Sequence, residues 1–202
     1  MSKETSLIQV TGKTVYPLVV AEVKQHLNIA DDDTAHDDQL TRLIQAATQT
    51  FEHDTGLKAT YETWKYIMPD FPSGDEFYIP AWPIQSITHI KYYDDSEVLQ
   101  TLNSGWYVLD AASGSVNRGN SRVWLLDTYD WPDIGDRLDA VQTTFVAGYS
   151  STSASVPAVF KQCILLLCGF WFEHRGEPMS SAVQQYPAYA AMIQRFVRPS
   201  YP

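Results

Sequence analysis

The chain has 202 residues, of which 45% are hydrophobic and 19% charged, a balance that excludes disorder and allows one or two domains with proper cores. Its formal net charge of −10 speaks against a high-affinity nucleic-acid binder, which normally presents a basic footprint. The imbalance is uneven, since residues 1–150 hold ten Lys and Arg against 22 Asp and Glu, whereas residues 151–202 hold four against two. Residues 1–14 are polar and lack an apolar run, so no signal peptide, transit peptide or lipidation motif is expected there.

Pro17 followed by Val20, Val23 and Leu27 gives an amphipathic stripe, predicting a short helix that begins at Pro17 and ends near Asn28. Asp31-Asp32-Asp33 reads as a loop. Asp37 or Asp38 is placed to cap the next helix, whose stripe is Leu40, Leu43, Ile44, Ala47 and Phe51, with Gly56 closing it. Beyond Gly56 the period changes from helical to alternating. Thr60–Met68, Phe77–Ile79, Ile87–Tyr93, Trp106–Leu109, Arg122–Leu125 and Ala140–Ala147 are predicted strands, separated by turn-rich or proline-rich pieces. Short strands at such spacing indicate a small antiparallel sandwich or barrel.

From Gln162 to Phe172 no residue is charged. Pro157 suits a helix start and Glu173-His174-Arg175-Gly176 a polar exit, so this run predicts one helix, apolar round its whole circumference. It falls short of the roughly 18 apolar residues needed to span a membrane, so it is expected to be buried in protein. One face is expected against another subunit, with Leu166, Phe170 and Trp171 as candidate core or subunit-interface residues. Cys163 and Cys168 lie five apart on this helix and point about 140° from one another, so they cannot bridge, which suits a reduced, cytosolic chain. A last short helix is expected from Pro187, followed by a tail that its prolines keep from being helical.

The expected fold class is therefore α+β: a four-helix core built from both chain ends with an inserted β module. The expected divisions are 1–56, the N-terminal helices; 57–150, the β-rich insert; and 151–202, the C-terminal helices and extended tail.

No catalytic or metal motif emerges. Counted as an EF-hand from Asp31, the loop has His36 where glycine is needed and Arg42 where glutamate is needed. The histidines at 26, 36, 53, 89 and 174 never fall three or four apart, so there is no helical zinc pair. No phosphate-binding glycine loop or nucleophile elbow is present, and no cofactor is expected. Trp64, Trp82, Trp106, Trp124 and Trp131 all fall in the β insert. They are read first as core, then as intersubunit surface, and least as a stacking platform for carbohydrate or bases.

Several strings, in order, resemble one family. They are Leu18-Val19-Val20-Ala21-Glu22-Val23-Lys24; the helix Leu40–Phe51 ending in Thr55-Gly56; Ile79-Pro80-Ala81-Trp82-Pro83-Ile84; Lys91-Tyr92-Tyr93-Asp94; Val141–Phe145 with Ala147-Gly148-Tyr149; and Val156-Pro157 through Trp171-Phe172-Glu173-His174-Arg175. Together they cover about residues 17–198. The chain resembles the bacteriophage head–tail connector (adaptor) family, gp6-like or phiE125-type. Val19 stands where that family usually carries a capping Ser or Thr. The resemblance implies a structural virion protein of the neck, made in the host cytoplasm. It implies a homo-oligomeric ring, about a dodecamer, between the portal protein and a tail, stopper or nozzle protein. DNA would pass through without specific binding, and there would be no catalysis and no membrane. The tail residues Arg195, Phe196, Val197, Arg198 and Tyr201 are the candidate portal-docking segment, being the only net-basic and aromatic end of the chain. The rival reading is a carbohydrate- or ligand-binding module using the aromatic β insert.

Overall fold

A computed structural model describes residues 5–111, 121–174, 186–194 and 196. The fold is mixed, with antiparallel sheets and, among the described residues, four α-helices and one 3-10 turn. The chain divides into two compact units. One is formed by residues 1–13 and 61–148, the other by 14–60 and 149–202.

The helical unit contains α1 (Val20–Leu27), α2 (Asp37–Thr55), α3 (Ala158–Glu173) and α4 (Pro187–Ile193). Helix α1 starts three residues later than its proline suggested, with Val19 as the cap residue. The Glu22 carboxylate accepts the Val19 backbone N–H at 2.9 Å, which is the backward-reaching half of a capping box; the half that a Ser or Thr hydroxyl would supply is missing at Val19. Helix α2 is capped by His36 rather than an aspartate, which places Asp37 and Asp38 in the first turn, where carboxylates favour the helix dipole. It ends at Gly56, whose φ of 70° is a left-handed conformation that costs glycine little.

Helix α3 packs against α1, α2 and α4, and α2 also meets α1 and α4. The fully buried Phe160 is a hub, with its ring centroid 5.0 Å from Phe51, 4.8 Å from Tyr149 and 5.2 Å from Phe196. Two buried polar groups tie distant segments of this unit. The Glu52 carboxylate accepts the Ala59 N–H at 2.7 Å, and the Thr60 hydroxyl donates to the Val15 carbonyl at 2.7 Å. Thr60 and Ser150 form an isolated parallel bridge that joins the two stretches of chain.

The β unit holds β1 (Ser6–Thr11), β2 (Glu62–Met68), β3 (Glu76–Tyr78), β4 (Ile84–Tyr93), β5 (Leu99–Thr101), β6 (Tyr107–Asp110), β7 (Arg122–Leu125) and β8 (Val141–Ala147). They form a five-stranded sheet in the order β1-β2-β8-β4-β5 and a three-stranded sheet in the order β3-β7-β6, with every pairing antiparallel. One hydrophobic cluster draws on both sheets, taking Tyr66, Met68, Ile90, Val141 and Phe145 from the larger and Phe77 and Val123 from the smaller. Strand β1 had no counterpart among the predicted elements. It pairs with β2 from Ser6↔Ile67 onward, and so the residues before Thr14 join the β unit, not the helices.

The turn between β4 and β5 is built by one aspartate. Asp94 Oδ1 accepts the N–H groups of Ser96 and Val98, and Oδ2 accepts the Gln100 amide at 2.8 Å. The Gln100 and backbone donors together hold this carboxyl below its ordinary range.

Candidate assembly surfaces

The described residues include no group of three or more His, Cys, Asp or Glu that could hold a metal ion. Both cysteines are free and buried, and burial pushes the Cys163 thiol up to about 11 and the Cys168 thiol up to about 12. At neutral pH both are therefore thiols, which are poor nucleophiles. Burial, and then the neighbouring Asp54 carboxylate, also raise the Tyr189 phenol, whose hydroxyl donates to Asp54 Oδ2 at 2.9 Å. In the acidic loop, Asp31, Asp32 and Asp33 are all exposed, and Asp33 Oδ1 accepts only the local Ala35 N–H at 3.0 Å. No helix among the described residues is long and apolar enough to cross a membrane.

Helix α3 is less completely enclosed than its composition suggests. Phe160, Cys163, Ile164, Leu167 and Cys168 are fully buried, whereas Leu165, Leu166, Phe170 and Phe172 are only half-buried. Leu166 and Phe170 border a groove of about 170 Å³ together with His26, Leu27 and Tyr186. Helix α1 crosses tightly beside it, since a Cβ on Gly169 would come within 3.1 Å of His26 Nε2. Trp171 is 9% exposed, and its indole N–H has no hydrogen-bond partner among the described residues. Of the three residues singled out on this helix, Trp171 is thus core, while Leu166 and Phe170 reach the surface.

Of the C-terminal segment, Phe196 is described and lies 6% exposed against Phe160. It packs into the helical unit as a core residue. Arg195, Val197, Arg198 and Tyr201 lie outside the described residues.

The tryptophans of the β unit divide by position. Trp82 is 2% exposed; Trp64, Trp106 and Trp131 pack at the margin of the cluster; Trp124 is exposed. The register of the small sheet explains this. Trp124 stands opposite Glu76 and Val108, on the face turned away from Phe77 and Val123. On that face Arg122 joins Glu76 (2.6 Å) and Asp110 (2.9 Å), with its guanidinium 4.9 Å from the Trp124 ring. Trp106 stacks on Tyr129 at 5.0 Å.

A second surface was not singled out from the sequence, because its residues come from different strands. Lys65, Thr144 and His89 are cross-strand neighbours on β2, β8 and β4, and Lys91 follows His89 two residues on. They share the face of the large sheet opposite Tyr66, Ile90 and Phe145. The His89 imidazole is lowered from its ordinary value by burial, then by Lys91 and Lys65.

Residues 18–100 match the family model described as phage gp6-like head-tail connector protein, the family that the sequence strings resemble. No curated protein matches the chain. Among solved structures, a chain of the neck of an empty GTA particle, computed with C6 symmetry, aligns with a TM-score of 0.78 at 23% identity, covering 98% of this chain and 97% of that one. A chain from the virion of the native gene transfer agent (GTA) particle aligns with a TM-score of 0.77 at 21% identity, covering 97% of each chain. A chain of the native GTA neck, computed with C12 symmetry, gives 0.76 at 21% identity, covering 98% and 97%. The chain therefore has the fold of these neck proteins along almost its full length.

Proposed function

We propose that the protein is a structural adaptor of a tailed bacteriophage or phage-like particle, a head–tail connector that forms a ring in the virion neck and extends the DNA channel. The observation that carries this reading is the near-complete fold likeness to neck chains, together with the connector-family match over residues 18–100. The symmetries of those necks favour a homo-oligomeric ring of about twelve copies. The portal protein would lie on one side and a tail, stopper or nozzle protein on the other, after assembly in the host cytoplasm.

In this reading the helices of 1–56 and 151–202 act as one four-helix core, and the two sheets of 57–150, joined by β1, act as a sandwich-like module. Leu166 and Phe170, half-buried on α3, are suited to contact a neighbouring subunit. The basic tail with Arg195, Val197, Arg198 and Tyr201 is the segment assigned to portal docking. Phe196 would anchor its base, since it packs on Phe160. A net charge of −10 suits a channel wall that must not retain its cargo. No catalytic step is assigned.

The test is to assemble particles with the wild-type chain and with a chain lacking residues 197–202. Mass spectrometry and electron microscopy of isolated necks should find about twelve wild-type copies per particle and far fewer of the truncated chain. Full occupancy by the truncated chain would remove the portal role of the tail. Absence of the wild-type chain from necks, with a stable monomer that binds glycans, would replace the adaptor reading with the ligand-binding one.

A further inference from the structure

Of the described Lys and Arg residues, Lys13, Lys24, Lys58, Arg122, Arg137 and Lys161 each have a carboxylate within 4.0 Å. Lys65, Lys91 and the exposed Arg42 do not. In a chain with 24 acidic residues, the two half-buried lysines without a carboxylate in ion-pair contact stand on one sheet face, with His89 beside Lys91 on β4 and across β8 from Lys65. Lys65 Nζ donates only to Gln142 Oε1 at 3.2 Å, a neutral acceptor. The Asp139 carboxylate, which also accepts from Gln142, acts on Lys65 only from beyond ion-pair distance, and a half-buried cation with no anion in direct contact has lost part of its hydration and gained little for it. Apolar side chains border this row. Ile8, opposite Lys65, is 49% exposed, and Leu99, opposite Tyr93, is 42% exposed. Arg137 lies over Tyr93 at 3.8 Å. The face is thus cationic at its centre and apolar at both sheet edges.

We propose that this face, centred on Lys65, His89 and Lys91, is a subunit-docking surface that receives carboxylates of a second copy of the same chain. The inference rests on the ring reading and specifies one of its contacts. The formal net charge of −10 per chain opposes a duplex DNA partner, which binds to a basic footprint. A neighbouring copy supplies what the face lacks. Asp31, Asp32 and Asp33 are its densest exposed acidic run; Lys24 Nζ donates to the Asp31 backbone carbonyl at 3.2 Å, but none of the three carboxylates forms an ion pair with a Lys or Arg among the described residues. A basic face meeting a different, acidic surface is a head-to-tail contact, the kind that closes into rings. Arg137 over Tyr93 adds to this face the two residue types, arginine and aromatic, in which protein interfaces are enriched.

The experiment assembles necks from mixed unlabelled and ¹⁵N-labelled chains and treats them with a zero-length carbodiimide cross-linker. Amide links from Lys65 or Lys91 to Asp or Glu of the other isotopic copy are expected, with residues 31–33 foremost. Lys65→Glu/Lys91→Glu should lower the copies per particle at least tenfold, while circular dichroism and melting temperature stay near wild type, since neither lysine bonds a carboxylate within its own chain. Lys65→Gln/Lys91→Gln should fall between. Necks that carry the protein but give no inter-copy links at these lysines, and that accept the reversed variant at full occupancy, would overturn the inference and leave the adaptor reading standing. Links from these lysines to another neck protein, or a reversed variant that loads fully yet changes DNA retention, would also overturn it. Necks without the wild-type chain would remove the adaptor reading itself.

Discussion

Leu166 and Leu167 are adjacent, chemically identical and 100° apart on α3, so they separate fold from surface in one comparison. Leu167 is fully buried between helices, whereas Leu166 is half-buried at the groove beside Phe170. Leu167→Ala removes three carbons, worth about 2.4 kcal/mol at 0.8 per buried CH₂. A residual cavity adds roughly 24 cal/mol per Å³, which brings the expected loss to about 3–4 kcal/mol. Leu166→Ala forfeits about half the transfer term and leaves no enclosed cavity, so about 1 kcal/mol is expected. Against a total of roughly 5–15 kcal/mol, the first loss is severe and the second mild. Urea unfolding followed by circular dichroism and tryptophan fluorescence should show the Leu167→Ala midpoint falling two to four times further than that of Leu166→Ala. If Leu166 contacts a neighbouring subunit, its variant should nevertheless be the one that loads poorly into necks. Equal losses of stability would refute the burial argument, because they would mean that both faces of α3 are equally enclosed.

Tyr189→Phe should cost about 1–2 kcal/mol in the same urea assay, because it removes the hydrogen bond to Asp54 without opening a cavity. Native protein at pH 7.5 should react with iodoacetamide at less than a hundredth of the rate of urea-unfolded protein, since burial holds the Cys163 and Cys168 thiols near 11 and 12. For His89 the folded state binds its proton less readily than the unfolded chain, whose ordinary value is 6.5. Stability linked to this group is therefore full above 6.5 and is lost as pH falls from there through the lowered value. His89→Gln should lose less stability than wild type between pH 7.5 and 5.5, as read from urea midpoints.

The parts legible in the sequence were those with a strong period. The stripe Leu40, Leu43, Ile44, Ala47, Phe51 and the alternation up to Gly148 appear as α2 and β8 within a residue of their expected limits. The uncharged run 162–172 appears as α3. Strand β1 was not legible because five of its six residues are exposed, so burial imposes no alternation; it is a strand because β2 offers an edge. Strand β5 has three residues, too few for a period. Surface residues were harder to place than core residues. Phe196 sits in an arginine-rich end that reads as a docking tail, yet it is buried against Phe160 in its own chain. Conversely, nothing in the string Phe-Lys-Gln-Cys-Ile-Leu-Leu-Leu distinguishes Leu166 from Leu167 until α1 and α2 are in place. The pairing of Lys65 with His89 and Lys91 depends on the β2-β8-β4 register, which a linear pattern does not contain. Only the His89, Lys91 alternation could have hinted at it.

The position of β1 has a consequence for synthesis. When Ser6 leaves the ribosome, its partner Ile67 has not been made, and the whole of α1 and α2 comes between them. Those helices close local hydrogen bonds within microseconds, whereas β1 must hold an extended form, or none, until β2 emerges. Strand β2 is in turn flanked by β8, encoded some eighty residues further on (Met68↔Val141 to Glu62↔Ala147), so the nascent chain passes through a stage in which a two-strand ribbon β1-β2 stands without its sheet. The apolar faces of α2 wait longer still, because α3 follows β8. The large sheet thus waits for β8 and the helical unit for α3, which follows it, so neither unit completes its core until the last third of the chain has emerged.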